Sequence, residues 1–245
     1  MKTKLIVIIL LAGLLAGCKS QPGETTTESG LELVKVEPLI GKELPESSSY
    51  REEFDKDISG DWGLKVVSGL EKQVSWTMEK SHFRVKIPAV SNDTTFVFLN
   101  TDKNYKDIVV QAEVEYLKSS DNFVSVICRA SEDGWYEFRM NSLAYYQVLK
   151  FDTYRQSQGG NAYTDLVKVQ MRNPLINTGK TTNQFAISCV GNQITVFLNG
   201  EQVFKDGRPL EFEDSDYQEG AIGFGISSDG SSADVSFNWV EALKP

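Results

Sequence analysis

Between residues 135 and 163 the chain sets eight aromatic rings among planar polar side chains: Trp135, Tyr136, Phe138, Tyr145, Tyr146, Phe151, Tyr154 and Tyr163. In GWYEFRM (134–140) alternation puts Tyr136, Phe138 and Met140 on one face of a strand and Trp135, Glu137 and Arg139 on the other. If the first set packs into a core, the second faces outward, and Tyr145 and Gln147 neighbour it. Arg129, one segment earlier, completes the candidate ligand-binding set of Trp135, Glu137, Arg139, Tyr145, Gln147 and Arg129. Rings beside Arg, Glu and Gln suit a sugar, whose apolar face stacks while its hydroxyls bond to a few placed polar groups. The polar, glycine-containing stretch 154–165 reads as a flap over such a site. The alternative is that the aromatics simply pack beneath it.

Catalytic chemistry is harder to build. Hydrolysis of a glycosidic bond needs two carboxylates, one on each side of the bond. Glu113 and Glu115 share a strand face, but the pattern reads as a solvated sheet surface. Glu137 is the one candidate carboxylate, and Arg139 beside it would hold it ionised and make it a poor acid. No catalytic residue is therefore assigned. His82 is the sole histidine, so a Ser-His-Asp or Cys-His arrangement would have to use His82, which reads as a surface residue at a strand start, and His-rich metal sites are excluded. No cofactor or metal site is expected, although Asp121, Asn122, Asp133, Asp214 and Asp216 are hard-oxygen donors of the kind calcium takes. Gly223 and Gly225 lie inside an apolar alternating run, where glycine marks a close backbone approach rather than a dinucleotide loop.

These residues need a frame, and the turns and alternation supply one. Runs at 82–87, 95–99, 107–118, 123–130, 134–140, 145–151, 166–171, 184–190, 193–199, 201–206, 221–227 and 233–243 alternate with period two, as half-buried strands do. Asn199-Gly200 is a strong two-residue hairpin signal, and Gly191-Asn192 makes a second turn. No helical stripe appears. About a dozen strands cannot remain one open sheet, so the expected fold is an all-β antiparallel sandwich of two sheets.

The amino end is different in kind. MKTKLIVIILLAGLLAGC has a basic head, an apolar run and small residues before Cys18, the order of a secretory signal. Cys18 at the cut resembles the bacterial lipoprotein box. That resemblance implies cleavage before Cys18, acylation of its sulfur and new amino group, and an extracytoplasmic, lipid-anchored protein on a bacterial membrane. Residues 1–17 are then signal, 18–49 a lipidated cysteine and flexible tether, and 50–245 the sandwich domain. Within the tether, LELVKVEPLIG alternates enough for one stray strand. Losing Lys2 and Lys4 from 25 basic residues against 34 acidic ones moves the net charge from −9 to about −11. Such a chain has no basic stripe for nucleic acid and no polybasic contact for anionic lipid, so the lipid would hold it alone. Cys128 and Cys189 remain in an oxidising space, as a disulfide between neighbouring strands or as two buried thiols.

Several segments in order, REEFDKDISGDWGL, HFRVKI, DIVVQAEVEYL, VICRASEDGWYEFRM, NQFAISCVGNQITVFLNGEQVF and AIGFGISSDGSSADVSFNWVEAL, resemble the concanavalin A-like, laminin-G-like jelly rolls of bacterial exported proteins. Relatives include sugar-binding modules, family-16 glycoside hydrolases and 3-keto-disaccharide hydrolase-like domains. The family-16 carboxylate string is missing from this chain. The resemblance therefore implies a jelly roll and a carbohydrate or another cell-surface ligand, bound without turnover. A glycoside or 3-keto-disaccharide hydrolase is one alternative, and a structural or adhesive domain with a protein partner is another. Fold alone does not choose among them.

Overall fold

The computed structural model describes residues 46–245 apart from Met171, together with the short strand β1 (Val34–Lys35). The signal segment, Cys18 and the rest of the tether lie outside the described residues. The strands that follow are β2 (Tyr50–Glu52), β3 (Trp62–Ser68), β4 (Ser75–Met78), β5 (Phe83–Ile87), β6 (Thr94–Asn100), β7 (Ile108–Tyr116), β8 (Phe123–Ala130) and β9 (Gly134–Met140). Then come β10 (Tyr146–Asp152), the one-turn helix α1 (Thr153–Ser157), β11 (Tyr163–Gln170), β12 (Thr182–Val190) and β13 (Gln193–Leu198). The chain closes with β14 (Glu201–Gln202), β15 (Phe204–Lys205), β16 (Arg208–Pro209), β17 (Glu211–Glu213), β18 (Ala221–Ser228) and β19 (Ala233–Leu243).

Apart from β15 and β16, which pair only with each other, these strands form two facing sheets. The first runs β1-β3-β6-β18-β8-β9-β10-β11, and the second β14-β13-β12-β7-β19-β5-β4, with β17 against β13 and β2 against β19. All pairings are antiparallel except β1 on β3, where the stray tether strand adds itself to the edge. Alternation explains the second sheet directly. In β7, Val110, Ala112, Val114 and Tyr116 are buried while Gln111, Glu113 and Glu115 turn outward. The core between the sheets is aromatic. Phe224 stacks on Phe98 at 5.0 Å and meets Trp62 and Phe83 edge-on at 5.1 and 5.4 Å. Such pairs add roughly 0.5–1.5 kcal/mol each beyond the area they bury.

The turn chemistry holds. Asn199 and Gly200 both have positive φ, 49° and 85°, closing the two-residue turn between Leu198 and Glu201. Gly225 on β18 lies so close to its neighbours that a Cβ there would sit 2.7 Å from Ser125 Oγ and 2.9 Å from the Phe96 carbonyl. β3 and β4 were not among the expected strands. WGLKVVS carries apolar residues on both faces, and SWTM is too short to show a period.

Cys128 and Cys189 are bonded. The expected link between neighbouring strands is corrected here: β8 and β12 belong to opposite sheets, so the bridge fastens the sandwich across its core. Closing a separation of 61 residues removes unfolded-state freedom worth ~4 kcal/mol.

Candidate functional site

β9 lies within the first sheet, between β8 and β10. Its Tyr136, Phe138 and Met140 enter the central core, as the alternation requires. Trp135, Glu137 and Arg139 turn to the outer face, yet every residue of β9 is buried. Cross-strand register builds that face in rows. Ser125, Arg139 and Gln147 stand side by side on β8, β9 and β10, and Ile127, Glu137 and Leu149 form the next row.

Glu137 is held from three sides. Arg139 Nε donates to its Oε1 at 2.6 Å, while Trp135 Nε1 and the Tyr163 hydroxyl donate to its Oε2 at 3.0 and 2.9 Å. Burial alone would raise the pKa of Glu137. The Arg139 charge and the bonds from Arg139 and Trp135 outweigh it and hold the carboxyl below its ordinary value. Burial disfavours the Arg139 cation, but Glu137 more than compensates and raises its pKa. The Tyr163 phenol is pushed up by burial and by the Glu137 charge. The guanidinium also lies over the Tyr163 ring, 4.5 Å from its centroid.

Trp135 is not an exposed platform, which corrects the expectation. It is fully buried, stacked on Phe151 at 3.8 Å and 14°, with Lys65 Nζ 4.9 Å from its ring. Burial lowers the pKa of Lys65. The segment after β10 provides the cover. Asp152 caps α1 by accepting from Arg155 N at 2.9 Å. Gln156 Nε2 reaches the Val67 carbonyl on β3 at 2.8 Å, and Ala162 joins the small cluster around Trp135 and Phe151. The stretch read as a flap thus closes this end of the face.

The other end is open. A cavity of about 480 Å³ lies over Arg139 and Gln147, within the range of small-ligand sites. Phe123, Leu143, Tyr145 and Val169 give it an apolar side, and Asp93, Asp121 and Asp229 an acidic one. Arg139 lines the cavity, while its Nη2 is fully buried and has no hydrogen-bond partner among the described residues. The turn between β9 and β10 shapes the rim. Asn141 Oδ1 accepts from Leu143 N and Tyr145 N, at 3.1 and 3.0 Å, and Asn141 Nδ2 donates to the Asp121 carbonyl at 3.0 Å. Of the six candidates, then, Arg139, Tyr145 and Gln147 meet in the cavity. Glu137 lies beneath Arg139 as its counter-ion, and Trp135 belongs to the closed end.

Arg129 is elsewhere. Its φ is 54°, at a bulge where β18 shifts register against β8. That turn carries the guanidinium to the sandwich end, where it donates to the carbonyls of Lys106, Tyr217, Cys189 and Gly191. It fastens loops and is fully buried. Sequence reasoning missed Asp93, Asp229, Leu143 and Val169 as cavity residues, and Asn141 as the builder of its rim. Only the polar turn NSLA hinted at Asn141.

The remaining acids have other partners. Glu113, on the outer face of the second sheet, accepts from Gln184 and Asn238. Asp214 and Asp216 both bind Lys150 at 2.6 Å, and Tyr136 donates to Asp214. Asp121 and Asn122 accept from Ser231. Among the described residues no three His, Cys, Asp or Glu side chains converge as a metal site. His82 is an exposed residue just before β5.

Strand order and site together define a two-sheet jelly-roll sandwich with a polar–apolar cavity at one end of an outer sheet face. The model of the 3-keto-alpha-glucoside-1,2-lyase-like domain matches residues 51–240, and the chain belongs to that family. No curated protein matches it. Among solved structures it is similar to an endo-β-1,3-glucanase from Pyrococcus furiosus, with TM-score 0.57 and 9% identity over 79% of this chain and 92% of that one. It is also similar to a prokaryotic β-1,3-1,4-glucanase (lichenase) from a mouse hindgut metagenome, with TM-score 0.56 and 14% identity over 81% and 100%. The laminarinase catalytic domain of Thermotoga maritima aligns with TM-score 0.55 and 7% identity over 81% and 99%. At these identities the likeness is one of fold.

Proposed function

We propose that the protein binds a carbohydrate in the cavity over Arg139 without turning it over. The observation that carries this reading is the convergence of Arg139, Gln147 and Tyr145 on one cavity whose lining mixes rings and aliphatic side chains with polar groups. Gln147 would bond the hydroxyls of a sugar beside the Arg139 charge, and Tyr145 and Leu143 would take the apolar face of the ring. Glu137 is unsuited to acid–base work, because both of its oxygens are already engaged and its pKa is lowered. A glycan array followed by calorimetric titration tests the proposal on wild type, Gln147→Ala and Tyr145→Ala. We expect a bound glycan whose affinity drops about fivefold in Gln147→Ala, the loss of one hydrogen bond. An empty array, or binding indifferent to both substitutions, overturns it.

Family membership favours a second reading, lyase or hydrolase action on a 3-keto-glucoside. Elimination at such a sugar needs a base for the proton next to the ketone. The cavity carboxylates Asp93, Asp121 and Asp229 are better placed for that role than the shielded Glu137. Turnover of a 3-keto-glucoside by the wild type would promote this reading over the first.

The same proposal places the domain outside a bacterial membrane, held by lipid on Cys18. Its support is the signal-and-cysteine order of residues 1–18. Labelled palmitate should be incorporated by wild type and not by Cys18→Ser. Incorporation in both would sink the anchor.

A further inference from the structure

A second cavity, of about 490 Å³, adjoins the first. Leu143 and Tyr145 line both, so these two side chains form a ridge with a hollow on either side. The far hollow is built by the stretch that runs from β11 to β12. Asn173 N donates to the Ala144 carbonyl at 3.0 Å and Gly179 N to the Ser142 carbonyl at 2.9 Å, which ties that stretch to the ridge turn. Ala144 and Arg172 face the junction with positive φ, 70° and 51°. Neither is a glycine, so the local shape is maintained against backbone preference.

The two hollows differ in charge. The near one has Asp93, Asp121 and Asp229 on its wall, and its single cation, Arg139, is neutralised by Glu137. The far one has a single charged lining residue, Arg172, which is exposed and pairs with no carboxylate among the described residues.

We infer that the binding surface continues across the Leu143–Tyr145 ridge and takes an acidic oligosaccharide in a fixed direction. An uncharged ring occupies the Arg139 cavity, and the next unit, carrying a carboxylate, sits against Arg172. This inference rests on the carbohydrate reading of the first cavity. The acidic wall would repel a uronate from the near hollow, and Arg172 would attract one to the far hollow.

The test is titration of the full-length protein with three probes: a neutral hexose, a neutral disaccharide of that hexose, and the same hexose linked to a terminal glucuronic acid. Wild type and Arg172→Ala are compared at low and high salt. The expected order at low salt is uronate-bearing disaccharide, then neutral disaccharide, then hexose. Arg172→Ala should weaken the uronate-bearing probe about threefold, as befits an exposed ion pair, and leave the hexose unchanged. High salt should erase the uronate advantage. If the hexose and both disaccharides bind alike in both proteins, the second subsite is wrong while the first stands. If no probe binds and the glycan array is also empty, the carbohydrate reading falls and this inference falls with it.

Discussion

The two ends of the outer face of the first sheet begin from the same strands and finish as opposite environments. At the Trp135 end, Phe151 of β10 and Lys65 of β3 pack on the Trp135 ring, the α1 segment is tied down beside them, and a second small hydrophobic cluster forms. At the Arg139 end no segment among the described residues closes over the strands in that way, and a cavity remains. Glu137 stands between them, bonded to Trp135 on one side and Arg139 on the other. The comparison teaches that alternation assigns a residue to a face, while the covering segment decides whether that face is core or site.

The difference can be broken most severely at the closed end. Trp135→Ala should cost about 3–5 kcal/mol of stability, because it deletes a buried ring and leaves a hole under Phe151. Denaturant unfolding measures this. Ligand affinity of the remaining folded protein should change little, since Trp135 is outside the cavity.

Glu137→Gln probes the junction. It leaves the buried Arg139 cation without its partner and should cost ~3 kcal/mol or more. The pH dependence has a defined sign. The folded pKa of Glu137 lies below its unfolded value, near 4.3. Its contribution is therefore complete above that value and is lost as pH falls through the lower, folded value. Wild type should lose stability across that acid range, and the variant should lose less. Equal acid limbs in the two proteins would show that Glu137 is not the buried, ion-paired carboxylate described here.

Gly225→Ala presses on the middle of the face from β18. The new Cβ meets Ser125 Oγ and the Phe96 carbonyl inside contact distance, which should cost about 1–3 kcal/mol. Because Ser125 stands beside Arg139, this variant should also weaken the ligand, a readout that a purely structural defect remote from the cavity would not give. The smallest effect is expected for Gln156→Ala, which removes the bond from the covering segment to β3. A loss of ~1 kcal/mol should appear as faster amide exchange around Ala162, with the cavity end unchanged.

How much of this was legible in the sequence varies from residue to residue. Period-two alternation located β8, β9 and β19 to the residue, because each is long, flanked by turn residues and apolar on its core face. It missed β3 and β4, where the pattern is weak. It set Tyr145 and Gln147 beside the Trp135, Glu137 and Arg139 face, and the hairpin register pairs Gln147 with Arg139. It left Trp135 either exposed or packed beneath the 154–165 stretch, because a single sequence does not show where residues 153–162 fold back, and the second reading is the one found. It placed Arg129 in the site because alternation assumes an unbroken pleat, and the bulge at φ 54° turns that residue to the sandwich end.

The sequence by itself determined that the chain folds as strands, which faces of β7 and β9 enter the core, and which turns reverse it. These properties depend on neighbours a few residues apart. Only the tertiary structure decided that the cysteines join opposite sheets, that one end of the outer face is dry and the other open, and that Arg139 lines the open end. Each of those depends on segments far apart in the chain packing against one another, through contacts that no local period records.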